Sequence, residues 1–144
     1  MTPKHIPAEL RRLVTERAGD CCEYCRCQAR YTDSFSIDHI LPRSRRGQTT
    51  PENLALSCLK CNKHKAKRTN AVDPITGQTV SLFHPRRHRW EEHFAWSDDS
   101  TLILGLTPIG RATITALQLN RAALVNLRRI LYQIGEHPPR VGDG

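Results

Sequence analysis

Residues 22–65 read CEYCRCQARYTDSFSIDHILPRSRRGQTTPENLALSCLKCNKHK, and the Cys-x-x-Cys pairs in it, Cys22/Cys25 and Cys58/Cys61, decide the fold. Two intervening residues let a tight turn present both sulfurs to one tetrahedral zinc. Six cysteines in a small secreted chain would suggest disulfides; paired x-x spacing in a reducing compartment points to metal thiolates. Structural zinc contributes roughly 10–16 kcal/mol in small peptides, enough to offset a modest core. Cys21 could replace Cys22, and Cys27 could replace Cys25. Only Cys22/Cys25 repeats the spacing of the second pair, which leaves Cys21 and Cys27 as free thiols. Residues 26–57 separate the pairs, more than a simple zinc ribbon holds, so something substantial is inserted there.

At 144 residues the chain is one domain, or a small domain with an appendage. Lys and Arg total 22 against 14 acids, a net charge of +8 that attracts polyanions. No run approaches the ~20 apolar residues needed to span a bilayer. No charged-then-apolar leader opens the sequence either. These observations argue against a membrane partner and place the protein in the cytoplasm.

Outward from the cysteine pairs, helical spacing at Leu10, Leu13, Val14 and Ala18 predicts a helix over 7–18, started by Pro7 and stopped by Gly19. Residues 34–41 alternate, with Phe35, Ile37, His39 and Leu41 on one face and Ser36, Asp38 and Ile40 on the other, and predict a strand ended by Pro42. Leu54–Leu56 makes a short apolar return, and a helix runs from about 58 to 69. Asp73-Pro74 and Thr76-Gly77 mark turns. A short strand is expected at 101–106. One helix follows from Thr107-Pro108, and a second is capped by Asn120 and stopped by Gly135. This divides the chain into a core at 1–70, an extension at 71–136 that packs on the core or on a partner, and a disordered tail at 137–144.

The string C-x-x-C…DHI-x-P-x-S-x-x-G…EN-L-x-x-x-C-x-x-CN-x-x-K resembles the HNH endonuclease family over about a third of the chain. The resemblance implies an α+β fold, a zinc-stapled ββα-metal core with flanking helices and a C-terminal helical extension, of the standalone bacterial type. It also implies that Asp38 and Asn62 hold one catalytic Mg²⁺ or Mn²⁺, beside the structural Zn²⁺ on Cys22, Cys25, Cys58 and Cys61. Oxygen donors with open positions suit such hard cations. Asn53 matches the family residue that holds the hairpin loop.

Phosphodiester hydrolysis needs an activated water, and His39 is the candidate general base, because neutral imidazole takes a proton near pH 7. Asp38 falls on the opposite face of an extended strand, so joint action at one phosphate requires a local twist. Lys65 shares a helical face with Asn62 and is expected to reach the scissile phosphate. His64 lies about 200° around the helix from Asn62 and is rejected as a third ligand. Arg43, Arg45, Arg46, Arg86 and Arg87 are candidate phosphate contacts. Arg121, Arg128 and Arg129 read equally well as solvated charges. His84, His88, His93 and Trp90 could form a second metal site or a base-stacking surface, although surface and core roles are simpler.

The expected activity is a DNA endonuclease, with RNA left open as a substrate. The alternatives are a zinc-stabilised nucleic-acid-binding module without cleavage and a nuclease subunit of a larger restriction, recombination or phage-packaging machine. Target sequence, nicking against double-strand cutting, and oligomeric state are not written in these residues.

Overall fold

The computed structural model describes residues 6–32 and 34–140. Its elements run α1 (Ala8–Arg17), β1 (Phe35–His39), β2 (Leu54–Cys58), α2 (Leu59–Lys65), β3 (Asn70–Val72), β4 (Thr79–Ser81), α3 (Trp90–His93), β5 (Phe94–Trp96), β6 (Ile103–Gly105), α4 (Pro108–Leu117) and α5 (Ala122–Gln133). Among the described residues the strands pair as antiparallel hairpins, β1 with β2, β3 with β4 and β5 with β6. The result is a mixed α+β fold around a ββα unit.

Alternation along β1 explains how that unit is sandwiched. The register is regular from Phe35↔Cys58 through Ile37↔Leu56 to His39↔Leu54. Phe35, Ile37, Leu54 and Leu56 pack with Val14, Ala18 and Leu10 of the α1 side. Leu13, expected on that packing face, is 44% exposed. The intervening positions turn to α2, where Ser36 meets Asn62 and Asp38 meets Lys65. The pairing continues in register through Asp38↔Ala55 and His39↔Leu54, so no bulge interrupts the strand at Asp38-His39.

The loop between β1 and β2 is closed by Asn53. Its Oδ1 accepts from Leu41 N–H at 2.8 Å, and its Nδ2 donates to the carbonyls of Leu41 and Gln48 at 3.0 and 2.8 Å. Gly47 completes the closure, since a Cβ there would stand 1.7 Å from the Leu41 carbonyl oxygen. The end of β1 is thereby held in place.

The C-terminal half shares the core of the zinc half. Cys22, Tyr24, Cys25, Cys58 and Cys61 lie in one buried cluster with Phe83, Trp90, Phe94, Leu117 and Leu124. Trp90 Nε1 donates to the Tyr24 carbonyl at 3.1 Å, and Arg68 reaches the Ala116 carbonyl at 2.9 Å. Asn120 does not cap α5, whose N-cap is Arg121. Instead it bonds both backbone groups of Ile103 at 2.8 Å, tying α5 to the β6 edge. His137 to Arg140, expected in the tail, belong to the described residues. His137 is buried, its ring 4.5 Å from Trp96 and its Nε2 2.8 Å from the Ser100 carbonyl. Residues 141–144 lie outside the described residues.

Candidate metal centres and nuclease site

Cys22, Cys25, Cys58 and Cys61 bring their sulfurs within 4.8 Å of one another, and all four are buried. A tetrahedral zinc with ~2.3 Å bonds sets its sulfurs ~3.8 Å apart. The Cys25 and Cys58 sulfurs are 3.8 Å apart, so the donor set fits zinc. The first pair sits on a turn closed by Cys22 N–H to the Cys27 carbonyl and by Cys25 N–H to Cys22 Sγ. The second pair spans the start of α2, with Cys58 as its N-cap. Cys21 stands apart, directed at the Gly19 carbonyl, and burial pushes its thiol up to about 11.

Two arginines of the extension complete this end, a role their sequence context does not reveal. Arg121 places Nη1 3.5 Å from Cys61 Sγ and Nη2 3.3 Å from Cys58 Sγ. Four thiolates around Zn²⁺ carry a net charge of −2, which a guanidinium offsets. Arg128 is buried, bonded to the carbonyls of Thr101 and Leu119, and 5.2 Å from the Trp96 ring. Neither is a solvated charge.

The three motif residues Asp38, His39 and Asn62 are split between the two faces of the hairpin. Asp38 is buried on the α2 face and accepts from Tyr24 Oη at 2.7 Å. Lys65 Nζ lies 3.2 Å from Asp38 Oδ2 and 3.1 Å from the Ile40 carbonyl. The Lys65 side chain is only 1% exposed, so it holds the carboxylate rather than a phosphate. Burial raises the Asp38 carboxyl pKa, against the opposing pull of Lys65 and Tyr24. Asn62 lies on the same side, its Nδ2 3.1 Å from Ser36 Oγ. As placed, this donor set does not fit a divalent ion: the carboxylate is shared by a hydroxyl and an ammonium, and a dication beside that ammonium is repelled.

His39 is half-exposed at the end of β1, with Nε2 2.9 Å from Thr49 Oγ1. Partial burial, then the charges of Arg43 and Lys65, lower its pKa and keep the imidazole neutral at pH 7. Thr49 and Tyr24 belong to the site but carry no motif signal.

The predicted basic contacts fall into two groups. Arg46, in the left-handed region at φ 68°, and Arg87 are exposed. Arg45 is exposed too and bonds Thr69 Oγ1 at 2.6 Å; Arg43 is half-buried beside His39. Arg86 is different. It pairs with Glu23, whose other oxygen accepts from Leu56 N–H at 2.8 Å, so it braces the zinc knuckle to β2. His84, His88 and His93 lie close, with ring centroids 5.0 Å apart for His88 and His93. The four cysteines are nonetheless the only metal-suited group of His, Cys, Asp or Glu among the described residues.

A two-stranded hairpin, a helix packed on one face and a four-cysteine staple define a zinc-stapled ββα fold. Residues 22–68 match the family model described as HNH endonuclease, and this segment is an HNH domain. It spans about a third of the chain. Neither the curated proteins nor the solved structures contain a match to the chain. No helix among the described residues is long and apolar enough to cross a membrane.

Proposed function

We propose that the protein is a DNA endonuclease in which His39 is the general base. The carrying observation is an imidazole at the end of β1, 2.9 Å from Thr49 Oγ1 and beside a loop locked by Asn53 and rich in arginine. Taking the proton of the attacking water by a positioned imidazole is typically worth about 10²–10⁴-fold. Thr49 orients the ring, and the loop arginines attract and hold the phosphodiester. Mg²⁺ or Mn²⁺, expected from the family pattern on Asp38 and Asn62, requires a conformation in which Lys65 has released Asp38.

Supercoiled plasmid, purified protein and Mg²⁺ or Mn²⁺, with EDTA and His39→Ala as controls, test this reading. Metal-dependent conversion to open-circle or linear DNA that falls at least about a hundredfold in His39→Ala is expected. Equal cleavage by the variant removes His39 from its role. The Asp38–Lys65 pair also favours a second reading, a zinc-stabilised nucleic-acid-binding module. That reading predicts a salt-sensitive gel shift with no cleavage.

A further inference from the structure

A cleft of about 680 Å³ opens beside the nuclease site, between the β1–β2 loop, the β3–β4 hairpin and the turn at 84–88. That volume falls within the roughly 300–1,000 Å³ typical of small-molecule sites. Its floor includes the apolar Leu82 and Phe83. Its rim carries Arg46 and Arg87, both exposed, with Glu52 the only acid in the lining.

Two histidines add neutral donors. His84 Nδ1 accepts from the backbone N–H groups of Arg86 and Arg87, both at 3.2 Å, and His88 Nδ1 accepts from His84 N–H at 2.9 Å. Burial first, then nearby positive charge, lowers both pKa values, that of His84 to about 4. With Nδ1 used as an acceptor on each neutral ring, the proton resides on Nε2. The cleft therefore offers two cationic side chains and two imidazole N–H donors above an apolar floor. Its complement is a ligand with acceptor-only oxygens joined to a flat, weakly polar body, which describes a nucleotide.

The position of the cleft gives that complementarity a use. Ile40 and Asn53 line it, and Ile40 directly follows His39. Gln48 and Thr50, which flank the Thr49 partner of His39, line it as well, so a strand presented to His39 lies beside the mouth of the cleft. A stacked duplex is too wide to enter, so the occupant must be unpaired, and freeing a base costs a few kcal/mol unless the DNA already presents one. We infer that this cleft receives a single unpaired nucleotide adjacent to the phosphodiester addressed by His39, and that DNA with a bulged or otherwise unstacked residue is the preferred substrate. This inference rests on the nucleic-acid reading above, but its test needs no cleavage.

Fluorescence anisotropy with His39→Ala protein at fixed salt compares a perfect duplex with the same duplex carrying one bulged nucleotide. The bulge is expected to bind roughly tenfold tighter, the scale of one base held in a single-strand site. Ser81→Trp places a large side chain at an exposed lining position while leaving Arg46, Arg87, His84 and His88 in place. It should reduce the preference to below about twofold while duplex binding and thermal stability hold; Arg87→Ala should weaken bulge binding in the same direction. Equal affinity for the two DNAs, or a preference that survives Ser81→Trp, overturns the inference. So does displacement of the bulged DNA by equimolar free deoxynucleoside monophosphate, which would assign the cleft to a soluble nucleotide. A protein that cuts plasmid but ignores the bulge loses this inference alone, whereas one that prefers the bulge and cuts nothing loses only the nuclease assignment.

Discussion

Four thiolates at one end of the hairpin and one carboxylate toward the other are both buried negative charge, balanced by different means. At the zinc end, sulfurs from two local turns converge at metal-ligand spacing, and Arg121 closes over Cys58 and Cys61. At the Asp38 end, the balancing charge is internal, an ammonium from α2. The zinc site is built around an ion it cannot spare. The Asp38 site is built to stand without one, so it can be stable in the absence of a second metal and must rearrange to take one. The two buried centres of this small fold thus differ in what occupies the donor atoms.

The largest way to break this contrast is to open the zinc site. Cys58→Ser should lose zinc and cooperative unfolding, because metal binding worth roughly 10–16 kcal/mol exceeds most of a small domain's net stability. Zinc content by mass spectrometry and a thermal melt would check it; a zinc-replete variant with an unchanged Tm would refute the four-thiolate assignment. At the other end, Lys65→Met leaves a buried carboxylate unpaired and should cost about 3–5 kcal/mol in denaturant unfolding. Adding Asp38→Asn should recover much of that loss, since it removes the orphaned charge. If the double variant is no more stable than the single, the two residues are not a pair.

A smaller effect sharpens the role of the extension. Arg121→Met removes donors to two thiolates and should cost about 1.5–3 kcal/mol, with faster zinc release to a chelator. Release at the wild-type rate would reduce Arg121 to a packing residue. The smallest difference concerns pH. Arg111 holds Asp73 through two 2.9 Å bonds and depresses its carboxyl pKa below the usual range. A depressed folded pKa gives stability that is present above the ordinary Asp value of ~3.9 and lost as pH falls below it. The Tm gap between wild type and Arg111→Met should therefore be full at pH 5–7 and shrink below about pH 4. A gap that stays constant through pH 3 would exclude this linkage.

The same contrast separates what the residues disclose from what they conceal. Cys-x-x-Cys spacing is local chemistry, so the zinc ligands can be read directly, and spacing alone prefers Cys22 to Cys21. The β1 strand and the last two helices are readable from apolar periodicity. Lys65 misleads, because its helical face is visible in sequence whereas the carboxylate waiting on that face is not. Arg121 and Arg128 look like ordinary helix charges until tertiary packing sets them against thiolates and carbonyls. The β3–β4 hairpin shows only its turn residues, since strands of three residues are too short to display alternation. Asn120 carries the chemistry of a cap and spends it on a neighbouring strand.

Tyr24 belongs to both ends at once. Its backbone lies in the turn between Cys22 and Cys25, its carbonyl receives Trp90, and its hydroxyl rests on Asp38. A chelator that strips zinc therefore withdraws a strut from Asp38, and so from the proposed nuclease centre, without touching any ion there. Loss of cleavage in EDTA then has two origins, and only rescue by Mg²⁺ with zinc retained separates a missing reagent from a collapsed support. The indole of Trp90 sits beside that strut and 5.5 Å from Trp96, so the emission of the pair offers an optical readout of whether the support has collapsed.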